Sequence, residues 1–228
     1  MRLCFVFIGI FILQSALTQD HSDWANLKRY REENTLLMKD KNPGNRVVFI
    51  GNSITQGWKD ADPSFFKYNP YINRGISGQT TPQMLIRFRH DVIDLRPAVV
   101  VILAGINDIA ENTGPMTPEE TYGNIISMAE LAQANNIRVI ISSVLPANTF
   151  PWRPHIYPAD KVIELNKMLK AYCEKEKVYY LDYYTSMVDD RKGLKKEYTT
   201  DGVHCTPEGY GVMRSLVQLA IQAVLSSK

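Results

Sequence analysis

Ser53 stands in the segment Gly51-Asn52-Ser53-Ile54-Thr55, directly behind the apolar run Val47-Val48-Phe49-Ile50, and Asp201-Gly202-Val203-His204 lies near the far end of the chain. A serine hydroxyl is a poor nucleophile until a base takes its proton, and a histidine base needs a carboxylate to hold its tautomer and offset its charge. Ser53, His204 and Asp201 supply those three groups. Their spacing allows a tight turn to return the carboxylate to Nδ1 while Nε2 faces Ser53. The other histidines have no comparable setting: His21 lies near the N-terminus, His90 among Arg87, Arg89 and Asp91, and His155 between prolines. The alternatives are a structural histidine bonded to an aspartate at a turn and, for Ser53, a helix N-cap.

Acyl transfer from such a serine also needs donors for an oxyanion. Ser53 N–H, Gly75 N–H and the Asn107 side-chain amide are the candidates, and they could surround one developing negative charge. Gly75 reads equally as a turn residue with positive φ, and Asn107 as the cap of an Asx turn. Cys205, beside His204, invites a metal or thiol-nucleophile reading, but no further Cys or His stands at ligand spacing. Neither a metal nor an organic cofactor is expected.

Five apolar segments can position these residues: Arg46 to Ile50, Tyr71 to Asn73, Ala98 to Leu103, Arg138 to Val144 and Val178 to Leu181. Several are rich in Val and Ile, as buried parallel strands are. Helical stretches alternate with them, from Thr81 to Leu95, Pro118 to Asn135, Ala159 to Lys175 and Pro207 to Leu225. Thr117-Pro118-Glu119-Glu120 and Thr206-Pro207-Glu208 each place a capping residue before a proline suited to the first turn. An amphipathic stretch from Trp24 to Lys39 predicts one more helix, packed across the sheet. Alternation of this kind predicts a three-layer α/β/α sandwich, flavodoxin-like, around a five-stranded parallel sheet. Ligands of such sheets sit beyond the C-terminal strand ends. The segments bearing Ser53, Gly75 and Asn107 all follow predicted strands, so they fall on one edge.

Rival motifs fail locally. The segment Gly51 to Gly57 lacks the Gly-Lys-Ser/Thr ending of a P-loop, no Gly-x-Gly-x-x-Gly opens a helix, and Ser53 is not followed by the second glycine of a Gly-x-Ser-x-Gly elbow. The chain instead resembles the SGNH hydrolases, the GDSL-type esterases and lipases, at Gly51-Asn52-Ser53-Ile54, at Gly75, at Gly105-Ile106-Asn107-Asp108 and at Asp201-Gly202-Val203-His204. The resemblance implies a flavodoxin-like fold, Ser53 as nucleophile, His204 as base, Asp201 as its orienter, and Ser53, Gly75 and Asn107 as oxyanion hole. Asn52 departs from it, since an aspartate is usual there. Within the family the likeness is to acetylesterases and to the platelet-activating-factor acetylhydrolase branch, which implies removal of short acyl, above all acetyl, groups from a small-molecule or glycan ester. In the loop Leu145 to Pro154, Trp152 could stack on a sugar ring and Arg153 could meet an acidic one; both could equally serve only to pack the loop. A lysophospholipase or thioesterase with the same triad, and a non-catalytic flavodoxin-like binding module, are the competing readings.

The N-terminus bounds the setting. Arg2, an apolar stretch from Leu3 to Leu13 and small or polar residues through Gln19 predict a signal peptide at 1–18, cut near Thr18, followed by a single domain at 19–228. The predicted location is therefore periplasmic or extracellular. The apolar core is too short for a comfortable membrane span, so no integral membrane association is expected. A net charge of +2, part of it from Arg2, gives no electrostatic case for nucleic acid. Export would permit a disulfide between Cys173 and Cys205.

Overall fold

The computed structural model describes residues 23–227. The predicted signal peptide, its cleavage site and His21 lie outside them. The sheet comprises β1 (Val47–Gly51), β2 (Tyr71–Gly75), β3 (Val99–Leu103), β4 (Arg138–Ser142) and β5 (Tyr179–Leu181). All pairings are parallel and the order is β2-β1-β3-β4-β5. The central strands β1 and β3 are apolar and buried at every position, because parallel strands covered on both faces have no solvent side for polar residues.

The helices are α1 (Arg31–Met38), α2 (Ser53–Ala61), α3 (Pro63–Lys67), α4 (Thr81–Asp91), α5 (Ile106–Ile109), α6 (Pro118–Ala134), α7 (Ala159–Glu176), α8 (Tyr184–Met187) and α9 (Pro207–Ser226). In one layer α4 packs on α6 and α6 on α7; in the other, α2 packs on α9. The expected three-layer sandwich is therefore the observed one. Capping sets several boundaries. Thr117 Oγ1 accepts from Glu120 N–H while Glu120 Oε2 accepts from Thr117 N–H, a reciprocal box with Pro118 in the first turn of α6.

Departures from the expected boundaries have local causes. The fourth strand stops at Ser142 because Asn166 takes both backbone groups of Val144, accepting from its N–H at 2.7 Å and donating to its carbonyl at 2.9 Å. The stretch from Trp24 to Lys39 is helical only from Arg31; Asn26 sits at φ 54° and the Asp23 carboxylate accepts from Leu27 and Lys28 N–H, winding the first part into turns. The helix then packs against α4 and the 3-10 turn Ile93–Leu95 rather than across the sheet. Among the described residues no helix is long and apolar enough to cross a membrane.

Strand order reverses between β1 and β3, which lie side by side although β2 intervenes in sequence. Such a reversal is where loops leaving neighbouring strands part at their C-terminal ends, the usual ligand position of an open parallel sheet. The residues following β1, β2 and β3 are brought together at that place.

Candidate active site

The turn after β1 has no room for a side chain at Gly51, where a Cβ would strike the Thr55 side chain and lie 2.8 Å from the Leu103 carbonyl oxygen. Asn52 is the N-cap of α2, its Oδ1 accepting from Ile54 N–H at 3.1 Å. Ser53 is thus the first helical residue and its hydroxyl is not the cap. Its N–H has no acceptor among the described residues, as the first turn of a helix allows. Asn52→Ala is expected to destabilise the fold by about 1 kcal/mol in urea unfolding, the usual cost of an N-cap.

Ser53 Oγ lies 2.9 Å from His204 Nε2, and His204 Nδ1 lies 2.6 Å from Asp201 Oδ2. The other carboxylate oxygen, Oδ1, accepts from the N–H groups of Val203 and His204, so the turn that carries the histidine is built on the aspartate that orients it. Gly202 supports that turn at φ 87°. Burial alone would raise the Asp201 pKa, but the bonds from the His204 ring and N–H, the Val203 N–H and the charge of His204 outweigh it and hold the carboxyl below its ordinary range.

Asn107 occupies the first turn of α5 and is buried. Its Nδ2 donates one hydrogen to the Gln79 carbonyl at 3.0 Å and has a second hydrogen to offer. Next to it the Asp108 carboxylate accepts from the Thr81 N–H and hydroxyl, clamping α5 to the start of α4. Burial raises the Asp108 pKa despite those bonds.

The structure does not offer Gly75 N–H as a donor to the site. That group donates to Asn73 Oδ1 at 2.9 Å, and Gly75 is glycine because a Cβ would strike the backbone of Gln56 in α2. Gly78, three residues on, has the freer amide. It sits at φ +77° in the turn closed by Gln79 N–H donating to the Ile76 carbonyl, and its own N–H has no acceptor among the described residues. The same turn presents the Gln79 carbonyl to Asn107. The sequence carried Gly78 only as the second glycine of Gly75-Ile76-Ser77-Gly78, with nothing in it to rank that amide above that of Gly75.

Trp152 comes to the site: its ring is 6.2 Å from that of His204, 43% exposed, and backed by the buried Phe150 at 5.3 Å. Arg153 follows it in the loop, and its side chain makes no hydrogen bond or ion pair among the described residues. Cys173 and Cys205 are both free. Cys205 Sγ donates to Met213 Sδ at 3.7 Å, and burial pushes both thiols up to about 12. Iodoacetamide at pH 8 is therefore expected to leave both unlabelled in the native protein and to label them after unfolding, read by mass spectrometry.

Residues 49–212 match the model of the GDSL-like lipase/acylhydrolase family. Two solved Bacteroides structures align over nearly their whole length. One, from B. fragilis and assigned provisionally as an acylhydrolase, is 56% identical, covers 89% of this chain and 99% of its own, and has a TM-score of 0.86. The other, a GDSL-like lipase from B. thetaiotaomicron, is 53% identical over 88% of this chain and 98% of its own, with a TM-score of 0.85. Esterase TesA of Pseudomonas aeruginosa is 27% identical over 162 residues, 68% of this chain and 73% of that protein. The match to an uncharacterized Bacillus subtilis lipoprotein, 28% identical, spans 38% of this chain and only 37% of the length of that protein. The fold also recurs in an acetylxylan esterase of Geobacillus stearothermophilus, 18% identical, covering 78% of this chain and 94% of that one, with a TM-score of 0.64.

Proposed function

The chain belongs to the GDSL-like lipase/acylhydrolase family, and from that premise we propose that it is an exported serine esterase removing short acyl groups, chiefly acetyl, from carbohydrate esters through an acyl-enzyme. The observation that carries the chemistry is the relay Ser53 Oγ to His204 Nε2 to Asp201 Oδ2, at 2.9 and 2.6 Å. His204 takes the Ser53 proton as Oγ attacks the ester carbonyl. Ser53 N–H, Gly78 N–H and the second Asn107 Nδ2 hydrogen receive the oxyanion. Collapse of the tetrahedral intermediate expels the alcohol with the proton from His204, and water repeats the attack on the acyl-serine. The residues themselves supply every proton transfer.

Trp152 supports the carbohydrate part of the reading. A partly exposed indole beside the base offers a sugar ring a surface on which to stack. Removal of acetyl from xylan, named for the Geobacillus fold relative, is a reaction of the proposed class. Export rests on the composition of the first 18 residues and gains support from the lipoprotein named among the relatives.

A series of p-nitrophenyl esters from acetyl to octanoyl, with acetate release from acetylated xylo-oligosaccharides, tests the proposal. The expected kcat/KM is highest for acetyl and falls along the series. Preference for octanoyl would replace it with the lysophospholipase or thioesterase reading, and absence of turnover on every ester would favour a binding module.

A further inference from the structure

Gln79 is buried, and all of its polar groups are engaged. Its N–H donates to the Ile76 carbonyl and its own carbonyl accepts from Asn107 Nδ2 at 3.0 Å. The side-chain Oε1 accepts from Arg87 Nε at 2.6 Å, while Nε2 donates to the Ala25 carbonyl at 2.7 Å. Arg87 is itself buried completely; its remaining nitrogens donate to Asp91 Oδ2 at 2.8 Å and to the Gly51 carbonyl at 3.0 Å. One guanidinium thus registers the turn holding Gly78 against the turn that delivers Ser53. Ala25 belongs to the segment before β1, outside the residues that match the family model. That segment is tied to the same network at two further points, through Tyr30 Oη donating to the Gly75 carbonyl at the end of β2 and Asn34 Nδ2 donating to Oδ1 of Asp91, the Arg87 partner at the end of α4.

We propose that Gln79 is the positioning residue of the oxyanion hole, its side chain held between Arg87 and the N-terminal segment so that Gly78 N–H and Asn107 Nδ2 converge on one point. The inference rests on the esterase reading above. Gln79 touches no reacting atom; it acts through its own backbone, which carries the amide of the turn on one side and receives Asn107 on the other. A glutamine suits the position because its amide accepts from a guanidinium with Oε1 and donates to a carbonyl with Nε2 while staying uncharged. Glutamate would keep the Arg87 partner and set a negative oxygen against the Ala25 carbonyl. Alanine would remove both links and leave Arg87 Nε and the Ala25 carbonyl unpaired.

A hole whose donors drift loses affinity for the transition state while ground-state binding persists, so the effect falls on kcat rather than KM. In the full chain, Gln79→Ala is expected to lower kcat on p-nitrophenyl acetate by about 10- to 100-fold, with KM changed less than about twofold. Affinity for a trifluoromethyl ketone, which forms a tetrahedral adduct on serine, should fall in proportion to kcat/KM. Gln79→Glu, with Arg87 still paired, should show a smaller loss of the same kind, and it decides the matter if Gln79→Ala does not fold. Folded variants with unchanged kcat and ketone affinity would overturn the role of Gln79, as would a loss of kcat with ketone affinity intact. The parent protein is checked for phosphonylation of Ser53 by a p-nitrophenyl phosphonate. A parent that neither takes the phosphonyl group nor hydrolyses esters overturns the esterase reading and the hole with it; a reactive parent with unchanged variants overturns only the positioning role.

Discussion

Ser53→Ala is expected to reduce kcat on p-nitrophenyl acetate by about a million-fold, the scale on which removal of a triad nucleophile acts. No other nucleophile can take its place, since the Cys205 thiol donates to Met213 Sδ and stays protonated at working pH. What survives is the contribution of orientation and the oxyanion donors, roughly 10³–10⁴ over water. The loss should be separable from folding. Asn52 rather than Ser53 caps α2, so alanine at position 53 removes no cap and no backbone bond. Its hydroxyl is only part-buried and bonds His204 alone among the described residues. Urea unfolding should therefore move by no more than about 0.5 kcal/mol, the range for substitutions away from caps and core. Full turnover by the folded variant would remove the mechanism.

The sheet was readable from sequence because β1 and β3 have nowhere to put a polar residue, and short β-branched runs such as Val99-Val100-Val101-Ile102-Leu103 suit a strand buried on both faces. The long helices were readable by period and by caps such as Thr117-Pro118. Helices of four or five residues, α3, α5 and α8, complete too little of a turn pattern to register. The stretch from Trp24 fails for a different reason: the apolar spacing is helical, but the Asp23 carboxylate and the positive φ of Asn26 settle its first part into turns. At the site, residue types pointed to the chemistry, while the direction of an amide did not follow from them. Gly75 and Gly78 are equally free of side chains. One N–H is taken by Asn73 and the other is left open by a turn at φ +77°, and spacing cannot distinguish the two. The Arg87–Asp91 pair stands at helical spacing, but the rest of the Gln79–Arg87 brace was invisible for the same cause, since it ends on backbone carbonyls of Gly51 and Ala25.

Asp201→Asn is expected to lower kcat by roughly 10⁴-fold, the scale of a wrong histidine tautomer, while leaving the turn standing. The asparagine Oδ1 can go on accepting from Val203 and His204 N–H, where the carboxylate does so now. Its amide nitrogen then faces His204 Nδ1 in place of Oδ2, and a donor there requires Nδ1 to be the acceptor. The ring proton moves to Nε2, which points at Ser53 Oγ 2.9 Å away and can no longer take its proton. KM should change little, because neither group binds the substrate in the ground state. The acid limb of the stability profile supplies a second readout. Because the folded pKa of Asp201 is depressed, the carboxylate contributes stability that is fully present above its unfolded value of about 3.9 and is lost as pH falls through the lower folded value. The parent should therefore lose stability relative to the variant as pH drops below about 4, and the gap should close below the folded pKa. Equal kcat in parent and variant at pH 7, with both folded, would show that the carboxylate does not set the tautomer.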